Sequence, residues 1–118
     1  MSGASMTIEG TFEAAKRLGL VVRLPQPKEL FLDIDSKEDY THFTNMVALL
    51  PGVETWVKTP SKSGYPKCHI VVNMSRPIRA DERILLQACL GSDRKHELLS
   101  YLRHCDGNES PSVFFEKI

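Results

Sequence analysis

The order of hydrophobic periodicities from Glu29 onward most limits what this chain can fold into. The runs ELFLDID (29–35), VETWVKT (53–59), CHIVVNM (68–74) and SVFFEK (112–117) have the alternation or β-rich composition of strands. Helical spacing separates the first run from the second and the third from the fourth. The order β, α, β, β, α, β predicts an α+β fold of the ferredoxin-like or RRM-like kind, an antiparallel sheet with helices on one face.

Capping residues and chain breakers set the ends of the predicted helices. Ser36 is a suitable N-cap for the first helix of the core, and the Pro-Gly pair at 51–52 ends that helix. The second helical stretch starts near Ala80, breaks at the GSD turn (91–93) and then resumes. The apolar residues that this stretch is predicted to turn inward are Ile84, Leu85, Ala88, Leu98, Leu99 and Leu102.

The chain of 118 residues is long enough for one compact domain and too short for two ordinary ones. We expect residues 1–8 to be disordered, because they are mostly small and polar. Residues 9–28 predict an N-terminal helix, ended by Gly19, and a short strand. Residues 29–118 are then the βαββαβ core.

Composition favours a cytoplasmic globular protein. Hydrophobic residues make up 42% and charged residues 25% of the chain, and no stretch resembles a membrane span or a signal peptide. The three cysteines include no CxxC pair, so we expect reduced thiols and no zinc knuckle. The formal net charge is zero, but five basic and no acidic residues lie between Lys58 and Arg79.

Two aspartates interrupt the apolar run of the first core strand. Asp33 and Asp35 are two positions apart, so on a strand both project from the face opposite its leucines and isoleucine. Neighbouring carboxylates repel, and the usual solutions are a shared proton or a hard divalent cation. The pair therefore predicts a site for Mg²⁺ or Mn²⁺. The plainer alternative is that Asp35 helps Ser36 to cap the next helix, with Asp33 exposed at the strand end.

The stretch TPSKSGYPKCHIVV (59–72) joins the two middle strands through a turn-rich tip. Its hydroxyl groups, glycine and lysines can approach phosphate oxygens closely. His69 would share a sheet face with the aspartates if the two strands are neighbours. The predicted phosphate contacts are Ser61, Lys62, Ser63, Gly64, Lys67 and His69.

These residues resemble two motifs of the archaeo-eukaryotic primase superfamily. LFLDID (30–35) resembles the first motif, in which paired acidic residues on a strand bind the catalytic metals. The stretch 59–72 is similar to the second motif of the primase-polymerase branch, in which a turn rich in glycine and hydroxyl residues precedes a strand histidine that contacts nucleotide phosphates. The resemblance implies that Asp33 and Asp35 are metal ligands and that both, with His69, are catalytic.

The resemblance implies a minimal or degenerate member of this superfamily, a metal-dependent domain that binds nucleotide or nucleic acid. Nucleotidyl transfer in phage or plasmid DNA replication would be its activity, and its partners would be a nucleoside triphosphate, single-stranded DNA or a replication protein. The chain departs from the family pattern in two respects. The position two before His69 is Lys67, where the family has a serine, and no clear third acidic motif follows. The candidates for that third carboxylate are Asp81, Glu82, Asp93, Asp106 and Glu116.

The sequence is also compatible with two alternatives. A relative of rolling-circle replication nucleases would use His69 and a nucleophilic Tyr101, although such enzymes carry a histidine pair. A non-catalytic phage or plasmid accessory protein would instead bind nucleic acid or a partner protein, using Trp56, Tyr65 and the basic stretch. Ordinary packing also explains Tyr101 and Trp56.

Overall fold

The computed structural model describes residues 16–61, 64–107, 112 and 114–117. The segment predicted to be disordered, most of the predicted N-terminal helix, Lys62 and Ser63 lie outside the described residues. The elements in chain order are β1 (Leu20–Arg23), β2 (Glu29–Ile34), α1 (Lys37–Val47), β3 (Val53–Pro60), β4 (Cys68–Met74), α2 (Ala80–Cys89), α3 (Arg94–Cys105) and β5 (Phe114–Lys117).

The central feature is a three-stranded antiparallel sheet with the order β2-β4-β3. β2 and β3 are joined through α1, and β4 lies between them. The register sets Asp33 of β2 opposite His69 of β4, and His69 opposite Thr59 of β3. The predicted hairpin of β3 and β4 is confirmed, and so is the neighbourhood of the aspartate and histidine strands.

The last strand differs from the prediction. β5 pairs antiparallel with β1 in a separate two-stranded sheet, instead of extending the sheet beyond β2. The α+β class is therefore confirmed, whereas the ferredoxin-like arrangement of four strands is not. The physical reason lies at the free edge of β2, where side chains of the segment 83–93 bond its outward backbone groups.

The main hydrophobic core lies between this sheet and α1. The β2 residues of this core are Leu30, Leu32 and Ile34, which contact alternate residues of β4. From α1, the buried side chains of Phe43 and Val47 pack against them. Ser36 caps α1 as predicted, with its side chain accepting a hydrogen bond from the amide of Asp39 at 3.1 Å. The β4 residues on this core face are Cys68, Ile70, Val72 and Met74, as the sequence predicts.

The opposite sheet face is partly covered. Phe31 and Val71 form a small buried cluster there, and the guanidinium of Arg23 lies 5.0 Å from the centre of the Phe31 ring. Asp33 and His69 continue this face toward the hairpin. The aspartate strand thus turns its leucines and isoleucine to α1 and its carboxylate away from it.

α2 and α3 bury several polar side chains against the rest of the protein. On α2 the buried residues are Arg83, Ile84 and Gln87, and on α3 they are Glu97 and Ser100. Arg83 Nε donates to the Glu29 carbonyl oxygen at 2.8 Å, and Gln87 Oε1 accepts from the Phe31 amide at 2.7 Å. The unpaired edge of β2 needs hydrogen-bond partners, which apolar side chains would not supply.

The prediction for the apolar side of these two helices is largely wrong. Ile84 is buried, but Leu85 is 64% exposed, Leu98 59%, Leu99 50% and Leu102 42%. Ala88 is exposed too. Hydrophobic spacing alone fails here because Arg83 and Gln87 of α2 bond the edge of β2, and Glu97 of α3 in turn bonds Gln87.

Gly91 permits the sharp link between α2 and α3. Its φ is 97°, and a Cβ built there would lie 3.0 Å from the carbonyl oxygen of Asp39. A side chain at this position is therefore opposed both by the left-handed backbone and by the main chain of α1.

The three cysteines are free thiols, with Cys68 buried and Cys89 and Cys105 exposed. Among the described residues, no helix has the length and apolar character needed to cross a membrane.

Candidate functional site

Asp33 and His69 are direct cross-strand partners on the sheet face that α1 does not cover. The amide of Asp33 donates to Ser92 Oγ at 2.9 Å and its carbonyl accepts from the amide of Asp93 at 2.6 Å, so both point away from β4. The pair is therefore of the non-hydrogen-bonded kind, in which facing side chains approach most closely. His69 Nε2 lies 3.8 Å from Asp33 Oδ1.

The carboxylate of Asp33 has a perturbed environment. Burial raises the pKa of Asp33 above its ordinary value, because desolvation disfavours the ionised form. His96 and His69 lower that pKa in part, whereas Asp93 and Asp35 raise it further. A partly buried carboxylate with a raised pKa and the His69 imidazole opposite it is suited to holding a proton or a cation.

Asp35 lies just beyond the end of β2 and has a different partner. Its carboxylate is half-exposed, and Lys67 Nζ of the hairpin lies 3.3 Å from Asp35 Oδ1. Ser36, not Asp35, provides the side-chain cap of α1. The two aspartates therefore each face one basic residue of the β4 segment, and Asp35 links the acidic strand end to the hairpin.

The tip of the hairpin is closed by its own main chain. The amide of Gly64 donates to the Ser61 carbonyl oxygen at 2.9 Å, and the amides of Lys67 and Ser61 bond within the same turn. The main-chain amides of Ser61, Gly64 and Lys67 are thus engaged within the turn, and the Lys67 ammonium pairs with Asp35. Lys62 and Ser63 lie outside the described residues.

The start of α3 supplies neighbours that sequence reasoning missed. His96 Nδ1 lies 3.0 Å from Glu97 Oε2, and Ser92 Oγ donates to the same oxygen at 2.6 Å. Glu97 is buried, and Gln87 Nε2 donates to its other oxygen at 2.8 Å. This network fixes the Ser92 hydroxyl that receives the Asp33 amide. The sequence signal that could have revealed this network was the pair of polar residues Arg83 and Gln87, four positions apart on α2.

The five candidates for a third carboxylate differ in their positions relative to Asp33. Asp93 is adjacent to Asp33 through the backbone hydrogen bond and acts on its pKa. Asp81 and Glu82 form ion pairs with arginines at the start of α2. Asp106 follows the last residue of α3, and the side chain of Glu116 lies outside the described residues.

The donors fit a divalent cation only in part. Within the described part of the chain, no group of three or more histidine, cysteine, aspartate or glutamate side chains could hold a metal ion. Mg²⁺ commonly binds through one or two carboxylates and takes its other ligands from water and substrate phosphates. A cation at this strand end would need further ligands from water or from a bound phosphate, because Asp33 and Asp35 supply at most two carboxylates.

No family model, curated protein or solved structure matches the chain.

Proposed function

We propose that this domain binds a nucleotide or a single-stranded nucleic acid through its phosphates at the hairpin end of the three-stranded sheet. The observation that carries the proposal is the cross-strand pair of Asp33 and His69, with Lys67 close by at the same strand ends. An imidazole and an ammonium beside a carboxylate can receive a phosphate and its counter-cation together.

Each side chain has a distinct task in this proposal. His69 donates a hydrogen bond to a phosphate oxygen, and Lys67 adds positive charge at the base of the tip. Asp33 and Asp35 hold the Mg²⁺ or Mn²⁺ that accompanies the phosphates. When bound, such a cation would neutralise phosphate charge and polarise a phosphoryl oxygen. Binding of the cation should therefore depend on the nucleotide.

Nucleotidyl transfer is a second candidate, favoured by the position of Asp93. This activity, which the resemblance to primase-polymerases implies, uses acidic residues beyond the strand pair. The Asp93 amide bonds the carbonyl of Asp33, although the Asp93 carboxylate caps α3 by accepting from the amide of His96 at 3.2 Å. Activity would require this carboxylate to leave its capping position.

Calorimetric titration of ATP into the full chain, with and without MgCl₂ at low salt, tests the binding proposal. We expect Mg²⁺ to strengthen ATP binding, and MgCl₂ alone to give little heat. Asp33→Asn should abolish the contribution of Mg²⁺, whereas His69→Gln should weaken binding in both conditions by roughly tenfold or more. Asp81→Asn and His104→Gln make the same changes elsewhere and should behave as wild type.

The proposal is wrong if wild-type protein binds neither ATP nor an oligothymidylate at low salt. It is equally wrong if Asp33→Asn and His69→Gln bind both ligands as wild type does.

A further inference from the structure

A pocket of about 380 Å³ lies on the other side of the same sheet end, between α1 and the hairpin. Its position follows from the register, because Lys58 and Pro60 face the helix side of β3, opposite the core residues Ile70 and Cys68. The volume is within the range of small-ligand sites. The lining residues are Lys37, Tyr40, Thr41, Lys58, Pro60, Tyr65, Pro66, Lys67 and Cys68.

The lining combines positive charge with aromatic rings. It contains three lysines, two tyrosines and no acidic residue. Lys58 Nζ lies 4.6 Å from the centre of the Tyr40 ring, and Lys37 Nζ lies 5.2 Å from the centre of the Tyr65 ring. Each aromatic ring thus already lies beside an ammonium group. The Asp35 carboxylate pairs with Lys67, one of the three lining lysines, at 3.3 Å.

We propose that this pocket binds one nucleotide unit of a single-stranded nucleic acid, with the base against Tyr65 and the phosphates on Lys37 and Lys58. Stacking on exposed aromatic rings, together with a positively charged groove, is the common way in which proteins hold single strands. Tyr65 is 81% exposed and so presents its ring to a base without rearrangement of the core. An anion alone would use the lysines and leave the tyrosine irrelevant.

This inference deepens the proposed function, on which it depends for the class of ligand. Lys67 lines the pocket and contacts Asp35, so it lies between the pocket and the Asp33–His69 face. A strand crossing the sheet end would use both places, whereas a mononucleotide needs only one. The domain should therefore bind an oligonucleotide more tightly than ATP.

Fluorescence anisotropy of a labelled dodecathymidylate, measured between low and moderate NaCl concentrations, provides the test. Each phosphate contact on a single strand contributes a slope of about −0.7 in log K against log salt. Lys37→Ala and Lys58→Ala should each reduce the magnitude of the slope by about 0.7. Lys95→Ala, an exposed change on α3, should leave it unchanged.

Tyrosine variants separate base stacking from charge. Tyr65→Ala should weaken oligonucleotide binding by roughly five- to a hundredfold, and Tyr65→Phe should restore it, because the ring and not the hydroxyl carries the contact. Tyr101→Ala is the matched control, at a tyrosine that is 52% exposed on α3. Tyr65 is exposed, so the alanine variant should fold as wild type does.

Three results would overturn the inference. One is wild-type oligonucleotide affinity in both Tyr65→Ala and Lys58→Ala. Another is competition by inorganic polyphosphate as effective as that of unlabelled oligonucleotide at equal phosphate concentration, which would indicate a site for anions only. The third is an affinity for the oligonucleotide no higher than that for ATP. If Mg²⁺-dependent ATP binding is still lost in Asp33→Asn, the proposed function stands without the pocket.

Discussion

Replacing Gln87 with leucine should destabilise the domain strongly, because this side chain holds the free edge of the aspartate strand. Gln87 is fully buried. Its Oε1 accepts from the Phe31 amide at 2.7 Å, and its Nε2 donates to Glu97 Oε1 at 2.8 Å and to Ser112 Oγ at 3.3 Å. Leucine has a similar size but can make none of these bonds.

The magnitude follows from the groups that would lose a partner. A buried amide without an acceptor costs about 1–3 kcal/mol, and a hydrogen bond to a charged group such as Glu97 contributes about 1.5–3 kcal/mol. Gln87→Leu should therefore cost about 3–5 kcal/mol in the free energy of unfolding. For a domain of this size the Tm should fall by on the order of 10 °C or more.

Urea and thermal unfolding, followed by circular dichroism, would measure the change. Gln26→Leu is the matched control, because it makes the same substitution at an exposed position and should change stability by no more than about 0.5 kcal/mol. A Gln87→Leu protein within about 1 kcal/mol of wild type, at an unchanged m value, would refute the edge-capping role of this glutamine.

Three further predictions concern the site and the helices. Asp33→Asn should be at least as stable as wild type at pH 7. Burial raises the pKa of Asp33 in the folded state, so its ionised form costs stability above that pKa, and the advantage of the asparagine should vanish as the pH falls toward the ordinary value of 3.8 in a pH series of thermal melts. Gly91→Ala should cost more than Gly107→Ala in urea unfolding, because both glycines have positive φ but only Gly91 also meets another main chain. Leu99→Ala should lower the free energy of unfolding by less than about 1 kcal/mol, and Ile84→Ala by roughly 2 kcal/mol or more. The reverse order would support the inward-facing leucines that hydrophobic spacing predicts.

Strand alternation predicted the sheet face on which the residues of the candidate site lie. A period of two assigns Asp33 to the face opposite the leucines and His69 to the face opposite Ile70, whatever the rest of the chain does. That these two residues are direct partners required the register of β2 with β4. The influence of His96 on the pKa of Asp33 was beyond sequence reasoning, because it depends on the tertiary contact in which the Asp93 amide, just before α3, bonds the Asp33 carbonyl.

The amino-acid sequence determined the local features of this protein, because each depends on groups close together along the chain. These include the strand Cys68–Met74 that carries His69, the Ser36 cap and the break at Gly91. Tertiary structure alone decided that β5 joins β1 and that α2 and α3 turn their polar sides inward. Both outcomes depend on the open edge of β2. The backbone groups at this edge require hydrogen-bond partners. The side chains of Arg83 and Gln87 supply them at the edge where a fourth strand was expected.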